Sequence, residues 1–365
     1  MSEAPGFVPD APIGCRDFRI GCIGAGFIMA DVQLAAYTEA GFAVVAIASR
    51  TPSRAAEVAK RWDIGRVHPT PEALIEDPEI EIVDIAFPPD QQPDLIRHAL
   101  RQPHVKAILA QKPLALDLAE SKRIEAECRD AGKVLSVNQN MRFDQSMRVL
   151  KQLLERGDLG EPVIATIEMR AIPHWQDFLR DYDRLTLLNM SIHHLDVLRF
   201  LFGDPTEIFT AVRPDPRTAF AHTDGITAST LQFPSGMLAI SLEDVWSGPK
   251  VEGFQSDIYI KWRVEGTEGV AQGTIGWPDY PAGSPSTLRY CSLRATDGAW
   301  IEPKWDTMWF PHAFKGVMGQ LQDALHDGKE PMLSGRDNVK TMALVEAGYR
   351  SMKEGRSVKL SELGD

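Results

Sequence analysis

The sequence predicts an α/β protein in two parts: an N-terminal doubly wound parallel sheet over residues 17–140, and a C-terminal α+β domain over residues 141–365 with a large, open, mainly antiparallel sheet. Three observations predict it. In the first part short apolar runs alternate with helix-compatible stretches of roughly ten residues, the pattern of βαβ units. A glycine turn follows the first of those runs. Beyond Asn140 the pattern changes to runs of strands joined by glycine and proline turns, with few helices between them.

Phe18 to Ile23 is a short, β-favouring run that breaks into Gly24-Ala25-Gly26 before a helix-compatible stretch from Met29 to Tyr37. Ala43 to Ala48 is the second strand. Thr51 and Pro52 then supply an N-cap and a proline at the first helical position, opening a helix to Trp62. Ile82 to Ala86 is the next buried strand, with a helix around Pro93 to Leu100 behind it. Ala107 to Ala110 reads as a strand, and Asp117-x-x-Glu120 as a capping box opening a helix to Ala131. Val134 to Val137 closes the series. In the second part helices are expected over Asp144–Arg156, Ile192–Phe202, Ala313–His326 and Asn338–Lys353. Strands are expected over 163–170, 206–212, 225–233, 237–243, 256–264 and 286–293.

The 365 residues are enough for about two domains, and 44% hydrophobic with 25% charged residues is the balance of a folded, water-soluble chain. Lys and Arg number 39 against 51 Asp and Glu, a formal charge of -12 with no basic stripe. Nucleic acid and anionic membranes are therefore not expected partners. Four scattered cysteines, without a C-x-x-C pair or zinc-like histidine spacing, point to no metal site and to a reduced, cytoplasmic location. No apolar run reaches the roughly 18 residues that span a bilayer. Residues 1–16, acidic and proline-rich where a signal peptide would be basic and then apolar, are expected to be a flexible or draped arm. A solvated tail is the simpler role for it, and lacing a neighbouring subunit the sharper one.

Gly24-x-Gly26 stands where a dinucleotide fingerprint stands, after a strand and before a helix. The first glycine permits the tight turn, the second lets a pyrophosphate approach the backbone of Gly26, Phe27 and Ile28, and the helix N-terminus offers free N–H groups. Met29 occupies the third glycine position, a departure from the full pattern. A tight turn without ligand would also use two glycines; the βαβ context favours a Rossmann site. Ser49-Arg50-Thr51 end the second strand with no carboxylate to exclude a 2′-phosphate, which tilts the reading to NADP. Arg50 stacked on the adenine of NAD would fit the same residues, so both cofactors stay open.

Further segments follow in order: Phe87-Pro88-Pro89, Gln111-Lys112-Pro113, Asn138 to Phe143, Gly157-Asp158-Leu159-Gly160-Glu161-Pro162, Asn189 to Asp196, and Glu346 to Ser351. Together with the glycine turn they resemble the Gfo/Idh/MocA family, named after glucose–fructose oxidoreductase and inositol dehydrogenase, from about Phe18 to Val358. The resemblance implies a Rossmann domain that binds NAD or NADP, with Pro88, Gln92, Gln111, Lys112 and Asn140 joining Gly24, Gly26, Phe27, Ile28, Ser49 and Arg50 around the cofactor. It implies a second domain whose open sheet holds the substrate and the interface of a homodimer or homotetramer. It also implies hydride transfer at a carbinol of a sugar, sugar acid, inositol or glycoside.

That chemistry requires one group to take the hydroxyl proton and a second to fix the oxygen. Lys112 matches the family lysine. Beside an oxidised nicotinamide in a partly dry cleft its pKa is expected to fall toward neutrality, making it a base or an oxygen-polarising donor. His193 matches the family histidine and is expected to share the hydroxyl with Lys112 or relay its proton. Asn189 stands where the family has an aspartate, Gln111 where it has a glutamate, and Gln92 where many members have a histidine. Two carboxylates are thus missing from the expected site, and an amide at 189 can hold a hydrogen bond but take no proton. Arg142, His174, Trp175, Asp177 and His194 are expected around the substrate, aromatic faces suiting the C–H faces of a sugar ring; Trp309 has similar standing. Asp196 either caps or orients its helix, and Trp246, Trp262 and Trp277 are expected to pack. Two other functions fit the altered site: a non-catalytic dinucleotide sensor, and a transhydrogenating enzyme with permanently bound cofactor.

Overall fold

The computed structural model describes residues 6–171, 177–218, 220–245, 259–276 and 283–364. Six short strands, β1 (Ile20–Ile23), β2 (Val44–Ala48), β3 (Arg66–Val67), β4 (Ile82–Ile85), β5 (Ala107–Ala110) and β6 (Val134–Val137), form a wholly parallel sheet in the order β3-β2-β1-β4-β5-β6. β1, β4 and β5 are buried at every residue, which is why they read as short apolar runs, interrupted in β4 by Asp84. Helices α1 (Leu34–Ala40), α2 (Pro52–Trp62), α3 (Pro71–Ile75), α4 (Gln92–Leu100) and α5 (Leu118–Asp130) make the crossovers.

Local chemistry sets several boundaries. Pro52 opens α2, but the Thr51 side chain makes no cap bond. Asp117 caps α5 by accepting from the Glu120 N–H at 2.8 Å. The Glu120 carboxylate turns outward to Arg97 and Arg123, so only half of the expected capping box forms. The helix expected over Met29–Tyr37 begins as a π-helical turn, Ile28–Gln33, before α1. There the Ala30 carbonyl accepts a 2.7 Å bond from the Trp62 indole N–H.

The second set of strands is β7 (Pro162–Ala171), β8 (Glu207–Arg213), β9 (Ile226–Gln232), β10 (Leu238–Val245), β11 (Tyr259–Gly266), β12 (Gly269–Ile275), β13 (Thr287–Ser292), β14 (Trp300–Ile301) and β15 (Val358–Lys359). They build one sheet in the order β14-β13-β12-β11-β7-β10-β9-β8-β15. Only β7 and β10 pair in parallel; the other neighbours are antiparallel. β9 alternates buried and exposed residues, with Thr227, Ser229 and Leu231 inward. Helices α6 (Gln145–Glu155) and α7 (Ile192–Phe202) accompany this sheet. Asp144 caps α6 through its carboxylate, with Ser146 and Met147 N–H groups as donors.

The chain divides into two compact units. One holds Ala11–Asn140 and Phe310–Met342 with the parallel sheet; the other holds Met1–Asp10, Met141–Trp309 and Ala343–Asp365 with the large sheet. The segment Phe310–Met342, expected with the second domain, therefore belongs with the first. Its helix α8 (Ala313–Asp327) is tied there: the Asp323 carboxylate accepts from the N–H groups of Gly14 and Cys15, and Gln322 from that of Phe18. The Leu333 carbonyl accepts from Val137 N–H and Ser136 Oγ at the edge of β6. The last helix, α9, runs over Gly335–Glu354.

The arm is not a solvated tail over its described residues. Val8 exchanges two backbone bonds with the Gln152 amide, and Phe7 lies under the Arg156 guanidinium at 4.5 Å. Among the described residues no helix is long and apolar enough to cross a membrane.

Candidate functional site

In the parallel-sheet unit the strand order reverses between β1 and β4, and ligands of such sheets bind beyond the carboxyl ends of the strands at that reversal. Gly24 follows β1 with φ +125°, and a Cβ there would lie 2.7 Å from the Ala86 carbonyl oxygen, so only glycine fits. Gly26 is different. A Cβ there would meet no atom of the chain within 4 Å, so packing does not demand the glycine, whereas close approach of a pyrophosphate does. No side chain caps the helical turn that follows Phe27, which leaves its first N–H groups for an anion. Met29 is wholly buried, a core residue where the fingerprint has its third glycine. These residues fit a dinucleotide.

After β2, the Ser49 hydroxyl is folded into its own turn, donating to the Thr51 carbonyl at 2.7 Å. Arg50 is exposed; its guanidinium lies 5.4 Å from the Phe87 ring centroid and donates to Gln91 at 3.0 Å. The Pro88 carbonyl accepts from Gln91 and Gln92 N–H groups and so starts α4. Asn140 is buried, its amide donating to Asn138 Oδ1 at 3.2 Å.

Gln92 departs from its expected place at the cofactor. It is wholly buried and clamps the loop after β5, its Nε2 reaching the carbonyls of Gln111, Pro113 and Leu114 at 3.0, 2.7 and 2.9 Å, and its Oε1 accepting from Gln111 N–H at 3.0 Å. That loop presents the half-buried Lys112. Gln111 itself donates to Gln33 Oε1 at 3.0 Å.

Beneath the turn lies a group that sequence reasoning missed. Asp84 in β4 is wholly buried and accepts from Gln33 Nε2 and Tyr37 Oη, both at 2.7 Å. Burial pushes its carboxyl up to about 7, against the pull of the two donors. One signal was present: an aspartate inside Ile82-Val83-Asp84-Ile85, an otherwise apolar strand.

In the large-sheet unit, α7 carries His193 at its second residue, 8% exposed and edge-on to the buried Trp309 ring at 6.3 Å. Asn189 lies in a π-helical turn, Leu187–Ser191, just before α7. Its Nδ2 donates to the Leu185 carbonyl at 3.0 Å. The turn is anchored by Asp224, which accepts from Leu185 and Leu187 N–H groups and from the Tyr349 hydroxyl at 2.7, 2.6 and 2.9 Å. Burial raises the Asp224 carboxyl to about 6.

Two of the residues expected around the substrate are buried against carboxylates. Arg142 is 5% exposed and forms a two-pronged ion pair with Asp196 of α7. His194 is 1% exposed, its Nδ1 2.9 Å from Glu243 Oε1 and 3.3 Å from Ser241 Oγ. Both side chains are enclosed, each beside a buried carboxylate. His174 and Trp175 lie outside the described residues, as do Trp246 and Trp277; Asp177 opens a short 3-10 turn to Asp181. Trp262 packs as expected, its N–H on Ser146 Oγ at 3.2 Å. Among the described residues no cluster of potential metal ligands occurs.

Family models match both parts of the chain: residues 18–139 match an oxidoreductase family's NAD-binding Rossmann fold, and residues 151–360 match its C-terminal alpha/beta domain. The D-apiose dehydrogenase of Paraburkholderia graminis is 29% identical over 95% of this chain and 91% of its own length. The myo-inositol 2-dehydrogenase of Thermotoga maritima is 26% identical over 94% and 99%. Among solved structures, an oxidoreductase from Agrobacterium radiobacter, crystallised with NAD+, L-tartaric acid and magnesium, superposes with a TM-score of 0.79 at 25% identity, covering 95% of this chain and 99% of its own.

Proposed function

This chain belongs to the Gfo/Idh/MocA oxidoreductase family and is an NAD(P)-dependent enzyme acting on CH–OH groups of sugar or cyclitol substrates, and on that premise we propose which residues do the work. The bound dinucleotide supplies the hydride acceptor or donor. Gly24, Gly26 and the turn at Phe27 and Ile28 hold its pyrophosphate, and Arg50 its adenosine end. Lys112 takes or returns the hydroxyl proton of the carbinol, and His193 is the second group that fixes the oxygen.

The observation that carries this reading is the Gln92 clamp. Four hydrogen bonds from one buried side chain fix the backbone that presents Lys112, and a proton-transfer group must be held in place to act. Asn189, which takes no proton, holds the turn before His193. The substrate is a small polyhydroxylated ring, with D-apiose and myo-inositol the first to test. Nicotinamide absorbance over a panel of aldoses, sugar acids and cyclitols, with each dinucleotide, tests the assignment; no turnover on any of them would sink it.

We also propose that copies of the chain pair through the large sheet. Phe209, Ile240 and Leu242 stand on one face of it, each more than a third exposed, and Ile240 and Leu242 line a concavity of about 620 Å³ together with Glu168, Lys261 and Arg289. Light scattering on the purified protein tests for a dimer or tetramer. The cytoplasm is the compartment we propose, in keeping with four free thiols.

A further inference from the structure

Next to Lys112, a buried carboxyl group orders two side-chain amides in series. Gln92 fixes the backbone of Gln111, so what remains adjustable there is the side-chain amide, which could turn over and exchange its oxygen for its NH2 group. Gln111 Nε2 donates to Gln33 Oε1 at 3.0 Å. Gln33 has no such choice. Its Nε2 donates to Asp84 Oδ2 at 2.7 Å, and the Tyr37 hydroxyl donates to the same oxygen at 2.7 Å. Gln33, Tyr37 and Asp84 are all wholly buried.

An ionised carboxylate only accepts. Gln33 must therefore turn its NH2 toward Asp84 and its oxygen toward Gln111, and Gln111 must turn its nitrogen toward Gln33. Asp84 Oδ1 is buried with no hydrogen-bond partner, and protonation there leaves Oδ2 an acceptor, so the order holds in either ionisation state. The series runs from the helix after the glycine turn, over β4, to the loop after β5, along the edge where the dinucleotide is read to bind.

We propose that Gln33 is a positioning residue for the cofactor: ordered by Asp84 and Tyr37, it sets the flip of Gln111 so that Gln111 offers an oxygen to the hydroxyl or carboxamide N–H groups at the nicotinamide end of the dinucleotide. A neutral acceptor there does what a glutamate would do without adding negative charge beside Lys112. The inference rests on dinucleotide binding by this unit and is independent of the role given to Lys112.

Titration of the purified protein with NADH and with NADPH, followed by nicotinamide fluorescence, tests it without any substrate. Gln33→Met frees the Gln111 amide and is expected to weaken binding by about 3- to 10-fold, the worth of one hydrogen bond. In a Gln111→Glu background both ends of the side chain at 111 are oxygens, so adding Gln33→Met should change affinity by less than about twofold or improve it. Equal losses in the two backgrounds, or no loss in the native one, would overturn the proposal, since a merely structural role costs the same in both. Should Gln33→Met fail to fold, Gln111→Met decides: about a 10-fold loss is expected, and unchanged affinity overturns the proposal. A protein that binds as expected yet moves no hydride would instead count against the proposed function.

Discussion

Arg142 and Asp196 meet through two parallel hydrogen bonds, Nε to Oδ2 at 2.6 Å and Nη2 to Oδ1 at 2.7 Å, with 5% and 1% of the two side chains exposed. Asp196 lies three residues beyond His193 in α7, so the pair ties the helix that carries His193 to the 3-10 turn Asn140–Phe143. Removing one member leaves a buried charge without its counter-ion. Asp196→Ala is expected to cost about 3–5 kcal/mol of stability, while the double change Arg142→Leu with Asp196→Leu costs less. Urea denaturation of both variants checks this, and a double variant as unstable as the single one would contradict it.

Lys112→Met is expected to lower kcat by roughly 10²- to 10⁴-fold, the usual worth of a positioned proton-transfer group. Dinucleotide affinity should survive, because the Gln92 clamp holds the loop through backbone groups. Unchanged turnover with the true substrate would remove Lys112 from the chemistry.

Arg50 is held by Phe87 and Gln91 at the end of a strand with no carboxylate. Arg50→Ala should weaken NADP about 10-fold more than NAD, the scale of one charge-assisted hydrogen bond. Equal losses for the two dinucleotides would show that Arg50 does not read the 2′-phosphate.

An aspartate at position 189 would press a carboxylate against the Leu185 carbonyl that now accepts from the Asn189 amide. Asn189→Asp is therefore expected to destabilise by about 1–3 kcal/mol and to move the pH–rate profile. A native melting curve together with a native profile would place this amide outside both roles.

Burial holds the folded Asp84 carboxyl at about 7, well above the roughly 4 of an ordinary aspartate. Between those values the folded chain holds a proton that the unfolded chain has released. The stabilising contribution is complete below the unfolded pKa and is lost as pH rises through about 7. Between pH 5 and 8 Tm should fall more steeply for the native protein than for Asp84→Asn, which cannot ionise. Parallel slopes for the two proteins in scanning calorimetry would refute the assignment.

Much of this protein was legible in the chain because its cues are local. β5, β6 and α7 fall on the expected residues, since a buried parallel strand is a short apolar run and Gly203 closes α7 where it stands. The glycine turn is likewise a local feature, whereas the Lys112 loop and the amides at 111 and 189 were legible only through the resemblance to the family's motifs. β12 was not legible: Gly273 interrupts its pattern, and the reason for that glycine is the Thr287 carbonyl on β13, 1.9 Å from where its Cβ would stand.

Only the tertiary structure decided the partners of the polar side chains. Nothing near Arg142 in sequence announces Asp196, 54 residues on. Nothing near His194 announces Glu243, and a glutamine at 92 reads equally well as a ligand contact or a loop clamp until its four bonds are seen. The same holds for the placement of Phe310–Met342 with the parallel sheet. The physical reason is common to all of them: backbone conformation follows from neighbours along the chain, whereas the cost of burying a charge or an amide is met by whichever complementary group folding brings within about 3 Å.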